Sequence, residues 1–305
     1  MNTREWALIA FTILSQMTVG SFLVLGIVHF YAARKKNMAE ADRMSDRALV
    51  ALVPVLGLAM LASLFHLGNP LNAPRAVTNF ATSWLSREIL ATVIFGVLAV
   101  LFTALQWFKV GKFAVRNAIA WVAAVVGLVL VYSMAHIYMV RTQPAWNTIA
   151  TPLTFFTTTL LLGCLAMGAA FVANYVIEQR KNPGRLDDQS ELLRDAIRGI
   201  AIASVVLLGA EFVVLPLYLG YLAIAGSAAT TSANILVNTY GLLFILRLAL
   251  AFIGAGILGV FLYQNAKSGT EKTLATLAYS AFVIVLVAEV MGRFLFYISE
   301  YRIGV

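Results

Sequence analysis

Residues 6–32 read WALIAFTILSQMTVGSFLVLGIVHFYA, a run without lysine, arginine, aspartate or glutamate that is followed by the basic segment Arg34-Lys35-Lys36. A membrane-spanning helix needs about 20 consecutive apolar residues, so this run is long enough to cross a bilayer. It also exceeds the roughly 7 to 15 residues of a signal-peptide core. We therefore expect the run to be retained as a membrane span.

Seven further apolar runs follow the first one along the chain. The eight predicted helices cover residues 6–32, 48–68, 88–108, 119–140, 153–177, 199–225, 240–264 and 274–298. The 305 residues are 61% hydrophobic and 12% charged, with a mean hydropathy of +0.87, whereas soluble domains carry about 25% charged residues. Strand-like alternation is absent, which excludes an outer-membrane barrel. The sequence predicts an all-α integral membrane protein with a single membrane domain over residues 1–305.

The distribution of basic residues predicts the orientation of these helices. The linkers after the first, third, fifth and seventh runs carry 15 of the 22 lysines and arginines, and the positive-inside rule places such linkers in the cytoplasm. Both termini are then on the outer, periplasmic side. The longest linker, residues 178–198, divides the helices into two groups of four. Topology accounts for the net charge of +8, so no nucleic-acid partner is expected.

The single cysteine, Cys164, lies within an apolar run. One thiol cannot form a disulfide framework or supply the four thiolate ligands of an iron–sulfur cluster. Any iron–sulfur cluster that works with this chain must therefore belong to a partner subunit.

Ionisable residues inside the predicted helices are the candidates for function, because a charged group is costly in a bilayer. Those at mid-depth or in the outer half are His66, Glu88, His136, Glu211, Arg247, Glu289 and Arg293, whereas His29 lies near the inner face. Glu289 and Arg293 are one helical turn apart and could neutralise each other. Arg247 could pair in the same way with Glu211 or with Glu289.

Three of these candidates have plainer interpretations. Glu88 follows Arg87 near the start of its helix, where a carboxylate could be solvated or could cap the unpaired backbone N–H groups of the first turn. His29 and His136 are close to the membrane interface, where a histidine is usually hydrated or bonded to the backbone. A structural role is therefore a serious alternative for each of the three.

His66 differs from the other histidines because of the residues that follow it. The segment His66-Leu67-Gly68-Asn69-Pro70 ends a helix with a glycine and then a proline, which stops the helix and lets the chain turn. An imidazole has an unperturbed pKa of about 6.5, so it can exchange a proton at neutral pH and hydrogen-bond a phenolic oxygen. Quinol oxidation needs such a group.

The chain resembles the membrane-anchor subunit of the bacterial dimethyl sulfoxide reductase family, within the wider class of polysulfide-reductase-like quinone-reactive anchors. The resemblance extends along nearly the whole chain. It is concentrated in Phe11-Thr12, Gln16, Ala62-Ser63, His66-Leu67-Gly68, Pro70, Ala73, Leu85-Ser86, Glu88-Ile89, Pro144, Trp146, Thr151-Pro152, Phe155-Phe156, Gly209-Ala210-Glu211, Glu289, Gly292-Arg293 and Phe296-Tyr297.

The resemblance implies an anchor that oxidises a membrane quinol, typically menaquinol, near the outer face of the bacterial inner membrane. The electrons would pass to an iron–sulfur subunit that serves a molybdopterin catalytic subunit, both of them partners of this chain. The terminal acceptor stays open between dimethyl sulfoxide, other sulfoxides or N-oxides, and sulfur oxyanions. We expect the partners to dock on the outer face, because His66 lies at that depth.

The resemblance also assigns roles to individual residues. The predicted quinol site consists of His66, Gly68, Pro70, Arg75 and Glu88, in which His66 matches the family's quinol-binding histidine and Glu88 its carboxylate. The family can carry an arginine where this chain has Asn72, so we expect Arg75 to take that place. A supporting polar network is predicted from Glu211, Arg247, Glu289 and Arg293.

Other functions fit the sequence less well. No metal site is predicted, and no haem is expected, because family members of this type lack haem and a pair of His66 and His136 would consume the quinol histidine. The alternative function is a secondary transporter or ion channel that uses the buried Glu and Arg residues, with a helix break at Pro216. The clustering of ionisable groups on one side disfavours transport. A passive scaffold would leave the His66 segment unexplained.

Overall fold

The computed structural model describes residues 3–66, 75, 77–181 and 187–303, with all their side chains except those of residues 3, 4, 66, 187 and 188. Within these ranges the regular structure is helical. The helices are α1 (Thr3–Lys35), α2 (Met38–His66), α3 (Trp84–Trp107), α4 (Phe113–Tyr138), α5 (Ala150–Lys181), α6 (Asp187–Ile224), α7 (Ser227–Asn234), α8 (Gly241–Ala251), α9 (Leu258–Ser268) and α10 (Glu271–Ile298). Short π-helical segments, Ile235–Thr239 and Phe252–Ile257, follow α7 and α8.

Eight helical stretches in the described ranges are long and apolar enough to cross a membrane, as predicted. Helices α1 to α6 are one span each, α8 and α9 form the seventh span together with the π-helical segment between them, and α10 is the eighth. With eight such stretches in the described ranges, we expect both ends of the chain on one side, called here the terminal side. The opposite side, with most of the basic residues, is called the basic side.

The helices extend further on the basic side than predicted. Helix α2 begins at residue 38 rather than 48, and α6 at residue 187 rather than 199, so most of the two charged linkers before them is helical. Salt bridges between neighbouring helix ends hold these extensions, with Lys109 Nζ 2.7 Å from Asp42 and Asp46 and Lys36 Nζ 2.5 Å from Glu191. The charged residues that predicted the orientation of the helices therefore also form contacts between helix ends.

The segment between α6 and α8 lay outside the predicted spans, and most of it is also helical. Hydroxyl groups of Thr230, Thr231 and Ser232 donate to the backbone carbonyls four residues earlier, at 3.0, 2.9 and 3.2 Å. These bonds satisfy polar side chains within α7 itself. With 8 residues, α7 is too short to span a membrane.

Helix α6 is continuous through Pro216 over its 38 residues. An internal proline removes one backbone hydrogen bond and usually kinks a helix, but it does not interrupt this one. The helix break expected there is therefore wrong, and this feature no longer supports transport.

Helix α1 is the most enclosed of the spans, with 78% of its most apolar window buried against 28% in α2 and α6. It contacts α2, α5 and α10. Gly20 of α1 lies directly against Gly163 of α5, where a Cβ on either residue would collide with the backbone of the other. These contacts join helices of both predicted four-helix groups, and the grouping stays a prediction from chain order.

We expect Gly163→Ala to destabilise the protein by about 1–3 kcal/mol, because the added methyl group forces α1 and α5 apart. Gly26→Ala is the matched control, since a Cβ at this position of α1 meets nothing within 4 Å and alanine favours a helix over glycine by about 0.5–1 kcal/mol. Thermal unfolding of the purified protein measures both. Equal unfolding midpoints for the two variants would contradict the close contact.

Candidate functional site

The predicted quinol site lies only partly within the described residues. Gly68, Pro70 and the side chain of His66 are outside them. Arg75 is exposed, and its backbone carbonyl accepts a hydrogen bond from Thr78 Oγ1 at 2.7 Å. The geometry of the site therefore has to be built from Glu88 and the residues around it.

Glu88 is buried on the second turn of α3, with 8% of the residue exposed. The helix is capped by Ser83, whose side-chain oxygen accepts from the Ser86 N–H at 3.3 Å. Arg87 turns away to the surface and donates to the carbonyls of Phe80 and Ala81 at 2.8 and 2.7 Å. Glu88 is therefore neither solvated nor the cap of its helix.

A directed series of hydroxyl groups, called here the hydroxyl relay, lies within electrostatic range of Glu88. Thr12 donates its hydroxyl proton to the carbonyl of Leu8 at 2.7 Å, so its oxygen must accept from the Tyr297 hydroxyl at 2.9 Å. Tyr297 in turn accepts from the Tyr138 hydroxyl at 3.0 Å. Both tyrosines interact electrostatically with Glu88. The three hydroxyl groups come from α1, α4 and α10, and the two tyrosines lie at the end of the bundle where α3 begins.

Aromatic rings hold Tyr138 in this position. Its ring lies 5.2 Å from that of Trp146, 5.9 Å from Phe155 and 5.3 Å from Phe296, measured between centroids. Trp146 is fixed in turn by a hydrogen bond from its ring N–H to the carbonyl of Phe296 at 2.9 Å. This cluster shields the hydroxyl relay and gives Tyr138 a defined orientation.

The predicted polar network forms between α5, α6, α8 and α10. Arg247 Nη2 forms an ion pair with Glu211 and lies 3.8 Å from Glu289, which confirms the expected pairing of Arg247. The second oxygen of Glu289 accepts a hydrogen bond from Thr158 Oγ1 at 2.6 Å. Gly292 makes room for the guanidinium, because a Cβ there would be 2.6 Å from Arg247 Nε.

The spacing of Glu289 and Arg293 suggested a direct ion pair between them. The structure shows that Arg293 does not form this pair. Among the described residues it donates instead from Nη2 to Gln16 Oε1 at 2.9 Å, and its guanidinium lies 3.7 Å from the centroid of the Phe155 ring. Gln16 is oriented by donating to the carbonyl of Phe155 at 3.3 Å. The partner of Arg293 is therefore Gln16 of α1 and not Glu289 of α10.

A cavity of about 100 Å³ lies beside this network. All four predicted network residues line it, together with Thr154, Thr158 and Tyr218 among the polar groups. Four buried atoms of the network have no hydrogen-bond partner, namely Glu211 Oε2, Arg247 Nε, Glu289 Oε1 and Arg293 Nε. The structure thus brings the network residues together around a polar space.

The other two histidines have local partners. His136 bonds through Nδ1 to the carbonyl of Tyr132 at 2.8 Å, and its ring packs against Trp84 with 4.7 Å between centroids. His29 bonds through Nδ1 to Ser45 Oγ at 2.8 Å. These contacts agree with the plainer interpretation of both residues. Within the described part of the sequence, no group of three or more His, Cys, Asp or Glu residues could hold a metal ion.

Several residues of the site were not assigned a role from the sequence. They are Thr12, Gln16, Tyr138, Thr158 and Tyr297. Two of them carried a detectable signal, since Gln16 is an amide in the middle of an apolar run and Tyr297 follows Arg293 by one helical turn. Tyr138 and Thr158 become visible only when helices from different parts of the sequence are brought together.

Comparison with known proteins places this arrangement in a family. The family model described as DMSO reductase anchor subunit (DmsC) matches residues 1–298. The chain is 29% identical to YnfH, an anaerobic dimethyl sulfoxide reductase chain of Escherichia coli, with 99% of this chain and 96% of the relative covered. Identity to the C chain of the anaerobic dimethyl sulfoxide reductase of Haemophilus influenzae is also 29%, over 97% of this chain and 96% of the relative.

A more distant similarity extends over only part of the sequence. The C subunit of the sulfite dehydrogenase of Allochromatium vinosum is 36% identical over 94 residues, which is 30% of this chain and 28% of the relative. The match of the family model to nearly the full length, together with eight membrane-spanning helices, is decisive. This chain belongs to the DMSO reductase anchor subunit family and is a multi-pass protein of the bacterial inner membrane.

Proposed function

We propose that this anchor binds and oxidises menaquinol on the periplasmic side of the membrane, which is the terminal side of the helix bundle. The site comprises His66, Gly68, Pro70, Arg75 and Glu88. The observation that carries the proposal is the burial of Glu88 at the terminal-side end of α3, the end of the bundle at which α4 and α10 place Tyr138 and Tyr297.

A quinol releases two electrons and two protons when it is oxidised, so the protein must supply proton acceptors and an electron acceptor. In this proposal His66 hydrogen-bonds a ring oxygen and accepts a proton, and Glu88 passes protons to the periplasm. Arg75 supplies a positive charge that stabilises the negative charge developing on a ring oxygen of the quinol. The electrons leave through the iron–sulfur subunit of the complex.

The surroundings of Glu88 fit a proton-exchanging role. Among the described residues, Glu88 forms no ion pair within 4.0 Å, whereas the buried Arg247 and Arg293 are engaged by Glu211 and Gln16. A carboxyl group that is committed to an ion pair holds its charge and exchanges protons poorly. A carboxyl group without an ion pair is freer to take up and release a proton.

The partners follow from the family. We infer an iron–sulfur electron-transfer subunit and a molybdopterin catalytic subunit, with reduction of dimethyl sulfoxide or a related acceptor in the latter. Relatives of this protein are named as chains of anaerobic dimethyl sulfoxide reductase, which supports the assignment of the acceptor class. Docking on the terminal side keeps the path of the electrons from the quinol site short.

The quinol site is tested by titrating a fluorescent quinol-analogue inhibitor into membranes that contain the complex. Loss of a hydrogen bond to a ligand costs about 1–3 kcal/mol, so we expect His66→Ala to weaken inhibitor binding by about 5- to 150-fold. His29→Ala is the matched control, because His29 bonds to Ser45 on the basic side, and it should bind the inhibitor like the wild type.

Two outcomes would count against the proposal. Undiminished binding to a folded His66→Ala variant would remove the histidine from the site. No saturable binding to the wild-type complex would remove the site itself, and it would leave the family membership as evidence of the anchor role alone.

A further inference from the structure

We propose that the cavity between α5, α6, α8 and α10 is a binding site for a cluster of water molecules that extends from the terminal-side end of the bundle to Glu211. This inference does not depend on quinol binding. It rests on the four unpartnered polar atoms, the balance of charge around them and the size of the space.

The unpartnered atoms require a ligand that both donates and accepts hydrogen bonds. Arg247 Nε and Arg293 Nε offer N–H groups, and Glu211 Oε2 and Glu289 Oε1 offer carboxylate lone pairs. Glu211, Glu289 and Arg293 are 5%, 3% and 5% exposed, so they are almost completely removed from bulk solvent. A buried polar atom without a partner costs about 1–3 kcal/mol, and more when the group is charged.

The charge around the cavity favours a neutral ligand. Two glutamates and two arginines give the lining a net charge of zero, so an added cation or anion would face repulsion from one pair. Water is neutral and can satisfy donors and acceptors together. The same set of groups would therefore select water over a dissolved ion.

The volume distinguishes water from a quinone ring. The cavity holds about 100 Å³, whereas a buried water needs about 10–15 Å³ of such space and a cavity that binds one benzene molecule measures about 150 Å³. Several waters fit, whereas the space is smaller than a cavity that encloses one benzene molecule. By its size, the cavity therefore suits water molecules better than a quinol.

The lining provides further acceptors besides the carboxylate oxygens of Glu211 and Glu289. The hydroxyl protons of Thr154, Thr158 and Tyr218 are all donated to protein oxygens, at 3.0, 2.6 and 3.0 Å. Each hydroxyl oxygen is left with lone pairs that can accept from water. The lining includes Ala145 and Ser299, which are buried and lie beyond the ends of the membrane-spanning helices.

Helix α6 and the seventh span also form an apolar groove, which serves as a comparison for the polar cavity. This groove is lined by residues that include Phe212 and Phe252, and every lining residue is apolar. Nothing in this groove would hold water, and hydrocarbon tails of the lipid are its expected neighbours. Aromatic residues in the cavity and in the groove can therefore be compared within one protein.

Radiolytic hydroxyl-radical labelling of the wild-type complex in lipid nanodiscs, in ¹⁸O-labelled water with mass-spectrometric detection, tests the proposal. Radicals form from water and react with nearby side chains. We expect the cavity residues Phe244 and Phe296 to be oxidised about an order of magnitude faster than Phe212 and Phe252, because only the first pair would contact bound water. Equal rates for the two pairs would overturn the proposal.

A pair of variants locates the water within the cavity. Val214 lines the cavity, and its neighbour Val213 is 61% exposed on the lipid-facing side of α6. Val214→Phe should displace water and lower the oxidation of Phe244 severalfold, whereas Val213→Phe should leave it unchanged. An unchanged rate in a folded Val214→Phe variant would likewise contradict a water cluster at this position.

Discussion

Replacement of Glu88 by glutamine is expected to lower the rate of quinol oxidation by the assembled complex by about 10²- to 10⁴-fold, the range that general acid–base groups contribute. Glutamine keeps the shape of the buried side chain but cannot take up or release a proton. Binding of a quinol-analogue inhibitor should change little, since the site keeps its form. The two quantities are measured by acceptor-dependent quinol oxidation and by inhibitor titration on the same membranes.

Glu300→Gln is the control for a carboxylate on the same side of the bundle. Glu300 is half-exposed, with 35% of its side chain accessible, and pairs with Arg302 at the surface. Its replacement should leave the rate near that of the wild type. A Glu88→Gln complex that oxidises quinol at the wild-type rate would show that protons leave by another route.

Arg247→Met is expected to destabilise the protein by about 3–5 kcal/mol, the usual cost of leaving a buried charge without its partner. The change removes the ion pair with Glu211 and the positive charge near Glu289. Methionine approximates the length and volume of the aliphatic part of arginine, so lost packing contributes little. Thermal or denaturant unfolding of the purified protein in detergent, compared with the wild type, measures the effect.

A control variant and a double variant test whether the loss of stability comes from the burial of the ion pair. Arg302→Met breaks an exposed salt bridge with Glu300 and should cost no more than about 1 kcal/mol. The double replacement Glu211→Gln with Arg247→Met should recover part of the lost stability, because it removes a charge that the single variant leaves unpaired. A double variant no more stable than Arg247→Met would contradict the buried pair.

The membrane spans were predictable because a bilayer imposes a local requirement on sequence. About 20 apolar residues are needed wherever a helix crosses, so each span could be recognised without knowledge of its neighbours. The helix ends were not predictable in the same way. The extension of α2 depends on Lys109, which is distant from Asp42 in sequence and meets it only in the folded protein.

The site was predictable to a similar, limited extent. A pairing of Arg247 with Glu211 or Glu289 followed from the scarcity of ionisable groups in the spans, and only the structure shows that Glu211 is the nearer partner. The spacing of Glu289 and Arg293 was misleading, since Gln16 on another helix offers Arg293 a hydrogen bond. The hydroxyl relay joins residues of three separate helices, so no local sequence pattern could predict it. The roles of His66, Gly68, Pro70 and Arg75 stay predictions.

The direction of the hydroxyl relay determines which form of a ligand Tyr138 could recognise. Its proton is committed to Tyr297, and the relay ends on the carbonyl of Leu8, which can only accept. The Tyr138 oxygen therefore has only lone pairs to offer. A reduced ring, which carries hydroxyl groups, can donate to those lone pairs, whereas an oxidised ring, which carries carbonyl oxygens, cannot. Tyr138 would thus discriminate between the two redox forms by hydrogen-bond polarity alone.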